Sequence, residues 1–264
     1  MLEIKNVTKV FNYGTVNEKR ALSGLNLTLK EGDFVTVIGG NGAGKSTMLN
    51  IVAGVYPVDC GQILINGKDV TKLPEYKRAK YLGRVFQDPM FGTAATMQID
   101  ENLALASRRG LSRTLKTGIS AKEREGYREL LKQLNLGLED RMTSKVGLLS
   151  GGQRQALTLL MATLKKPDLL LLDEHTAALD PKTAKTVLDI TDKIVTENRL
   201  TTLMITHNMK DALRLGNRII MMHEGHVIFD AEGEEKKKLT VADLLQKFEQ
   251  ASGGEFANDR MMLA

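Results

Sequence analysis

The sequence contains a glycine-rich segment of the kind that binds phosphate groups. Residues 39–46 read Gly-Gly-Asn-Gly-Ala-Gly-Lys-Ser and fit the pattern GxxxxGK[ST]. A β-branched apolar run (residues 34–38) predicts a buried strand before it, and residues 45–52 predict a helix after it. Glycines let successive backbone N–H groups point at one anion, and the helix N-terminus adds its positive end. The segment therefore predicts a phosphate loop in which Lys45 reaches the β- and γ-phosphates of a nucleotide and Ser46 offers an oxygen to Mg²⁺.

Two carboxylates follow a second buried strand. Asp173 and Glu174 come directly after a run of leucines at residues 169–172. Ligands of open α/β sheets bind at the carboxyl ends of the strands, so both side chains are expected near the phosphate loop. Neighbouring residues on a strand point to opposite faces, which predicts two different roles. Asp173 is expected to hold Mg²⁺ through water, and Glu174 to polarise a water molecule in line with the γ-phosphate.

A second glycine motif stands at the start of another helical pattern. Ser150-Gly151-Gly152-Gln153 precedes residues 154–164. Ser150 and Gln153 form a capping box, which explains these two residues but not the glycines between them. Paired glycines at a helix start cost stability unless a close backbone approach is needed, and a phosphate at the helix N-terminus supplies that need. Two phosphate-binding helix ends in one chain suggest that the second serves the nucleotide of a neighbouring molecule.

The remaining patterns alternate strands with helices, which predicts a mostly parallel α/β sheet. Strand signals are missing from about residue 88 to 166, where helices are predicted at residues 99–107 and 121–136, so this stretch is expected to be a helical insert. Asp180 is predicted to be the N-cap of a further helix that has proline at its first position.

Three stretches outside these motifs carry expectations of their own. Residues 12–20 are predicted to be a polar loop, and the charge run at residues 232–238 a solvated link. A last amphipathic helix is expected at residues 241–250. None of the three stretches shows a pattern that indicates a binding site.

Composition limits the class of protein. With 264 residues, 42% hydrophobic and 26% charged, the chain is expected to be a soluble globular protein. Its apolar runs are much shorter than the roughly 20 residues of a membrane span, and no signal segment is recognised at the N-terminus. The one cysteine, Cys60, excludes an intrachain disulfide, and both features indicate the cytoplasm. The net charge of +5 is compatible with many anions, whereas the absence of tryptophan argues against single-stranded nucleic acid.

In their order along the chain, the motifs resemble those of the ATP-binding subunits of bacterial importer-type ABC transporters. Besides the phosphate loop and the acidic pair, the resemblance covers a glutamine loop at Gln87, the signature at residues 149–153, Ala178-Leu179-Asp180 and His207. It extends from about residue 2 to 230. It implies an α/β fold with a P-loop NTPase core, a mostly parallel sheet, an N-terminal antiparallel β-subdomain and a helical insert subdomain.

The resemblance also implies domain bounds. An ATP-binding domain is expected at residues 1–240, with its helical subdomain at about residues 88–166. A C-terminal helix and tail are expected at residues 241–264.

The resemblance implies an ATPase with a defined set of site residues. Glu174 is expected to be the general base or to orient the water, His207 to contact the γ-phosphate, and Gln87 to touch Mg²⁺ or the water. Ser46, Gln87 and Asp173 are the expected metal ligands. The expected ATP contacts are Phe11, Gly39, Gly40, Asn41, Gly42, Ala43, Gly44, Lys45, Ser46, Thr47, Ser150, Gly151, Gly152, Gln153 and Asp180.

Two positions need comment against the family pattern. Phe11 is expected to stack on adenine, with Tyr13 as the alternative. His175 stands where the family usually has proline after the acidic pair. A histidine there is expected to titrate near neutral pH, and no catalytic role is assigned to it.

The resemblance predicts partners as well. The ATP-binding subunits of this family form head-to-tail dimers that sandwich two ATP molecules. The expected partners are a second copy, separate membrane permease subunits contacted by residues 88–96, and a solute-binding protein outside the cytoplasm. The chain itself is expected at the cytoplasmic face of the membrane, and nucleic acid is not expected as a partner. Import of a small organic solute such as an amino acid is the favoured function. An iron–sulfur-assembly type of soluble ATPase, or an exporter or lipoprotein-release subunit, remains the alternative.

Overall fold

The computed structural model describes residues 1–111 and 118–252. The strands in these ranges are β1 (Leu2–Phe11), β2 (Lys19–Leu29), β3 (Phe34–Ile38), β4 (Cys60–Ile65), β5 (Lys68–Asp69), β6 (Leu82–Val85), β7 (Leu169–Asp173), β8 (Thr202–Ile205), β9 (Arg218–His223) and β10 (His226–Glu232). The helices are α1 (Lys45–Ala53), α2 (Glu75–Arg78), α3 (Ile99–Ser107), α4 (Ala121–Lys132), α5 (Gly151–Thr163), α6 (Pro181–Glu197), α7 (Met209–Arg214), α8 (Gly233–Lys238) and α9 (Val241–Ser252). A short 3₁₀ turn, Val146–Leu148, precedes α5.

The central sheet has the order β10-β9-β3-β8-β7-β6 within the described ranges. β3 pairs in parallel with β8 and β9, and β7 pairs in parallel with β6 and β8. Only the edge strand β10 runs antiparallel, against β9. This arrangement confirms the predicted mostly parallel sheet, and it brings the carboxyl ends of β3, β7 and β8 to one edge.

A second sheet, β2-β1-β4-β5, is antiparallel and packs beside the first. Its inward residues share one apolar cluster with α1 and with the central sheet, including Leu2, Leu27, Ile63, Met48 and Leu171. This packing confirms the predicted N-terminal antiparallel sheet and explains how residues of β1 and β2 come to lie against the phosphate loop.

Between β6 and β7 the described residues form helices α3, α4 and α5 and the 3₁₀ turn, joined by turns and loops, and residues 112–117 lie outside the described residues. The helices α3, α4 and α5 enclose a separate apolar cluster that includes Leu103, Leu131 and Leu157. The second predicted helix ends at Lys132 rather than at residue 136. None of the helices in the described ranges has the length and apolar character that a membrane span requires.

Two expectations about local structure are wrong. The supposed polar loop ends earlier, because β2 begins at Lys19 and pairs this residue with Phe11. The supposed solvated link contains α8, whose Lys236 is buried and donates hydrogen bonds to the backbone carbonyls of Leu215 and Gly216. A polar run can therefore contain a buried lysine when backbone carbonyls at the end of another helix accept its hydrogens.

Candidate functional site

A cleft of about 250 Å³ lies at the edge where β3, β7 and β8 end. Its lining comes from the phosphate loop, the loops after β7 and β8, and the antiparallel sheet: Phe11, Lys19, Ala21, Asn41, Gly42, Ala43, Gly44, Lys45, Ser46, Thr47, Glu174 and His207. The structure thus brings together, in one cleft, most of the residues that the sequence analysis predicted to bind ATP or act in catalysis.

The shape of the phosphate loop depends on glycine at its closest approaches. Gly44 has φ +96°, and a Cβ on it would lie 2.6 Å from the carbonyl oxygen of Ala21. A Cβ on Gly39 would overlap the carbonyl oxygen of Met222. Side chains at these positions would force the loop open, because L-residues also avoid positive φ. The buried Lys45 donates from Nζ to the carbonyl oxygens of Gly39 and Gly40, at 2.6 and 3.0 Å.

Glu174 and His207 lie in contact in the cleft. Oε1 of Glu174 lies 2.6 Å from Nε2 of His207. The backbone of Glu174 has φ +44°, a left-handed conformation that is uncommon for a residue with a side chain. Its N–H donates to the carbonyl oxygen of Ile205 at 3.1 Å, which ties the loop after β7 to the end of β8. The arrangement places a carboxylate beside the space that the phosphate loop encloses.

Asp173 occupies the last position of β7, next to a half-buried arginine. Its Oδ2 lies 3.7 Å from Nη2 of Arg84, which also donates to Oδ1 of Asn50 at 2.7 Å. Burial raises the pKa of Asp173, and the positive charge of Arg84 opposes this effect. Arg84 is a neighbour that the sequence analysis missed, because nothing in a short apolar strand marks one residue as the partner of a carboxylate on the adjacent strand.

The residues present fit a magnesium ion that is shared with a nucleotide. Ser46 lines the cleft, and Asp173, although not among the lining residues in the described ranges, ends β7 directly before the lining residue Glu174. Among the described residues no cluster of three His, Cys, Asp or Glu side chains forms a complete metal site. Mg²⁺ commonly keeps several waters and binds through one or two protein oxygens plus phosphates, so this donor set suits it.

Phe11 and Lys19 form the wall that faces the phosphate loop from the antiparallel sheet. The Phe11 ring packs edge-on against Tyr56, with 5.3 Å between centroids. Tyr13, the alternative adenine-stacking residue, is exposed and is not part of the lining. Nζ of Lys19 approaches the loop so closely that a Cβ on Gly42 would lie 3.4 Å from it. Lys19 was missed because the sequence analysis placed it in a loop, although its register opposite Phe11 turns it toward the site.

Two predicted residues stand apart from the cleft. Gln87 is exposed and is absent from the lining formed by the described residues. Asp180 is the N-cap of α6 and accepts from the backbone N–H of Thr183 at 3.1 Å. Hydrogen bonding by the side chain of Thr183, together with its backbone N–H, lowers the pKa of Asp180. The structure confirms the predicted cap, while contacts of Asp180 and Gln87 with a nucleotide or its metal stay predictions.

The signature residues also lie outside the cleft of their own chain. Ser150 caps α5 together with Gln153, as predicted, and neither belongs to the lining found in the described ranges. A Cβ on Gly152 would overlap Cγ2 of Thr183 in α6, so close helix packing within the chain requires this glycine. Gly151 is less constrained, since its Cβ would lie 3.2 Å from Leu179 Cδ2. An exposed helix N-terminus with glycine at its start is free to meet a ligand held by another molecule.

His175 differs from expectation. Its side chain is buried, and burial lowers its pKa to about 4. The prediction that it titrates near neutral pH is therefore wrong, because desolvation disfavours the charged imidazolium.

Comparison with known proteins gives one consistent family. A family model described as ABC transporter matches residues 22–177. A tyrosine transport ATP-binding protein of Clostridioides difficile is 47% identical over 253 residues, which cover 95% of this chain and 100% of that protein. A spermidine/putrescine import ATP-binding protein of Mesoplasma florum is 36% identical over 228 residues. That match covers 86% of this chain and only 60% of the longer relative.

A solved structure agrees with these relatives. An ATP-binding cassette, determined as a dimer in a post-hydrolysis state with ADP and Pi, superposes with a TM-score of 0.74 at 31% identity. The superposition covers 88% of this chain and 98% of that one. The likeness therefore extends over most of this chain.

Proposed function

The chain belongs to the ABC transporter family of ATP-binding proteins, and from this premise we propose that it couples ATP hydrolysis to the import of a small organic solute through separate membrane subunits. One observation carries the proposal: the phosphate loop with Lys45 and the Glu174–His207 pair line the same cleft. A site for the phosphates and a carboxylate next to it are what phosphoryl transfer to water requires.

The phosphate loop, Glu174 and His207 have separate tasks in hydrolysis. The backbone N–H groups of the phosphate loop and the Lys45 ammonium bind the β- and γ-phosphates and stabilise the charge that spreads over them. Glu174 accepts a hydrogen bond from the attacking water, and His207 holds the carboxylate and reaches the terminal phosphate. Ser46 and Asp173 would hold Mg²⁺, which would supply positive charge to the phosphates. Phe11 stacks on the adenine ring.

The active form is a head-to-tail dimer of two copies. In the described chain the signature residues Ser150 to Gln153 do not line the cleft that holds the phosphate loop. They form the exposed N-terminus of α5, so they can complete a site in a second copy. The solved relative, determined as a dimer, supports this arrangement. ATP then joins the two copies, and hydrolysis separates them.

An apolar surface near Gln87 is our candidate contact with the permease. Met90 and Phe91 are 45% and 78% exposed, and Leu148 is 71% exposed. Arg154 links the segment of Met90 to that of Leu148, because its guanidinium lies 2.6 Å from Met90 Sδ and donates at 3.0 Å to the carbonyl oxygen of Gly147, the residue before Leu148. We call these three apolar residues the Met90 patch. Its place beside the glutamine loop fits a surface that transmits movement between the nucleotide and a membrane subunit at the cytoplasmic face.

The direction of transport and the solute class rest on the relatives. The most similar of the relatives reported above is named for tyrosine transport, and the longer one for import of spermidine and putrescine. An amino acid such as tyrosine is therefore the solute class that we propose. Delivery would involve a solute-binding protein that acts through the permease.

Co-purification from native membranes tests the proposal. The tagged full chain should recover permease subunits, identified by mass spectrometry. A variant with Phe91→Ser in the Met90 patch should lose them while it still binds ATP. Val16→Ser, which changes a fully exposed apolar residue in the loop between β1 and β2, is the matched control. Recovery of the wild-type chain only from the soluble fraction, without membrane partners, would contradict the transporter function.

A further inference from the structure

His175 follows Glu174 directly, yet its side chain turns away from the cleft. Only 1% of the residue is exposed, and it is not among the lining residues in the described part of the chain. Its Nε2 lies 3.0 Å from the hydroxyl Oγ1 of Thr191, which is in the middle of α6. A residue next to the carboxylate is thus bonded to a helix behind the site.

The direction of this hydrogen bond follows from the other bond of the hydroxyl. Thr191 donates its one hydroxyl hydrogen to the carbonyl oxygen of Val187 at 2.8 Å. The hydroxyl must therefore accept from His175, which assigns the ring hydrogen to Nε2. Nδ1 is then a bare acceptor, buried and without a partner in the described structure. The bond to Thr191 is the polar attachment that fixes the ring.

Glu174 needs such support because of its backbone conformation. Its φ of +44° is unfavourable for a residue with a side chain and persists only where the surroundings impose it. On one side, the Glu174 N–H is bonded to Ile205 at the end of β8. On the other side, the next residue is bonded to Thr191. The carboxylate is therefore held between β8 and α6, with His207 in front of it.

The same helix also packs against the signature. Gly152 of α5 lies against Thr183 in the first turn of α6 so closely that no Cβ fits between them. Thr191 is eight residues further along this helix, or about 12 Å at the rise of an α-helix. α6 is consequently a rigid connection between two parts of the molecule. One is the N-terminus of α5, which we assign to the partner's nucleotide, and the other is the segment that carries Glu174.

We propose that the His175–Thr191 hydrogen bond positions Glu174 for hydrolysis by anchoring the segment after it to α6. The inference rests on the proposed function, because it concerns the same reaction. His175 contacts no substrate and acts through Glu174, so it is a positioning residue. The hydroxyl at position 191 and the donor at position 175 are the two groups that the role requires.

Substitution of Thr191 separates this role from packing. Thr191→Val keeps the shape and removes the hydroxyl, which leaves the Nε2–H of His175 buried without an acceptor. Thr191→Ser keeps the hydroxyl and is the matched control. In steady-state ATPase assays of the full chain, we expect kcat of the valine variant to fall about tenfold, since a misplacement of about 1 Å at the reacting groups can cost about 100-fold and a smaller shift costs less. Its KM and Kd for ATP should change less than twofold, and the serine variant should remain within twofold of wild type.

A second pair of variants tests whether both residues act through one bond. His175→Leu removes the donor and should also lower kcat about tenfold. The double variant His175→Leu/Thr191→Val should be no slower than either single variant, because contacts that form one interaction are not additive. All assays are run well below the melting temperature of the least stable variant. The number of ATP molecules bound per chain is measured for each variant, because it counts the folded sites.

The outcomes separate the possible explanations. Wild-type kcat in Thr191→Val would overturn the inference. So would a loss of kcat that matches the loss of ATP-binding sites, because the bond would then only support folding. Equal losses in the serine and valine variants would overturn it as well. If the wild-type protein failed to hydrolyse ATP, the proposed function would fail, and the inference with it.

Discussion

Oε1 of the Glu174 carboxylate lies 2.6 Å from Nε2 of His207, although the two residues are 33 positions apart in the sequence. The register of the sheet produces this contact, because β7 and β8 are parallel and Asp173 lies opposite Ile205. The residues that follow these strands must meet at the same edge. With Oε1 beside His207, Oε2 of Glu174 is the oxygen that we expect to accept a hydrogen bond from water.

Glu174→Gln should stop hydrolysis without preventing ATP binding. Glutamine has the same shape and can still pair with His207, but an amide is a very weak base. We expect kcat to fall by at least about 100-fold, the size of a lost general-base contribution, with Kd for ATP within a few-fold of wild type. Steady-state ATPase assays and a fluorescent ATP analogue measure the two quantities, and size-exclusion chromatography with ATP should show a dimer that persists.

Glu197→Gln is the matched control for this experiment, because it makes the same change at the exposed end of α6. It should leave kcat and ATP affinity unchanged. Substantial turnover in Glu174→Gln would show that another group activates the water, and loss of ATP binding would show that the carboxylate supports the fold of the cleft instead.

Lys19→Met should weaken the binding of ATP more than that of adenosine. The ammonium of Lys19 lies over the phosphate loop, where it adds positive charge next to bound phosphates. We expect Kd for ATP to rise about three- to tenfold, since one exposed charge-assisted contact contributes roughly 1 kcal/mol. Lys19→Arg should keep the affinity. Lys122→Met, which changes an exposed lysine on α4, serves as the control. An equal loss for adenosine would mean that Lys19 acts through the base-binding wall, and an unchanged Kd would exclude a contact.

The features that could be predicted from the sequence are those that depend on local chemistry. The phosphate loop, the acidic pair and the caps formed by Ser150 and Asp180 all depend on neighbours within a few residues. Contacts between segments that are distant in the sequence could not be predicted in the same way. Arg84 meets Asp173 because β6 pairs with β7, and His175 meets Thr191 because α6 packs behind the loop. A single sequence does not show which polar residue on one element faces a given residue on another.

Ser150 offers a way to separate its capping role from a role in trans. Asparagine and aspartate both cap helices well, but only aspartate carries a charge that would repel a phosphate. We expect Ser150→Asp to lower ATPase activity at least tenfold and Ser150→Asn to lower it less, with similar melting temperatures for the two variants. Both quantities are measured on purified homodimers.

Mixing two inactive variants tests whether Ser150 acts on the partner. Lys45→Ala disables the phosphate loop of its own chain, and Ser150→Asp disables the signature. In a mixed dimer one site keeps an intact loop and an intact signature, so the mixture should recover activity that neither variant has alone. Failure to recover any activity, at concentrations where mixed dimers form, would contradict the head-to-tail arrangement.

Lys236 should make the protein more stable as the pH rises above 8. Burial lowers the pKa of its ammonium from 10.5 to about 8 in the folded chain. Between these values the unfolded chain holds a proton that the folded chain has released, so the free energy of unfolding increases with pH, by at most about 1.4 kcal/mol per pH unit for one proton. This contribution is complete above pH 10.5 and is lost as the pH falls to 8.

Urea unfolding of wild type and Lys236→Met at pH 7.5, 8.5 and 9.5 measures this linkage. The difference in free energy of unfolding, wild type minus variant, should increase with pH, because every other titrating group is common to both proteins. Lys237→Met is the neighbouring control, since that lysine is exposed and its contact with Glu234 raises its pKa. The difference in free energy of unfolding between wild type and Lys237→Met should not increase between pH 7.5 and 9.5. A difference that stays constant for Lys236 would mean that its ammonium keeps its proton throughout, with the carbonyl groups of Leu215 and Gly216 offsetting the burial.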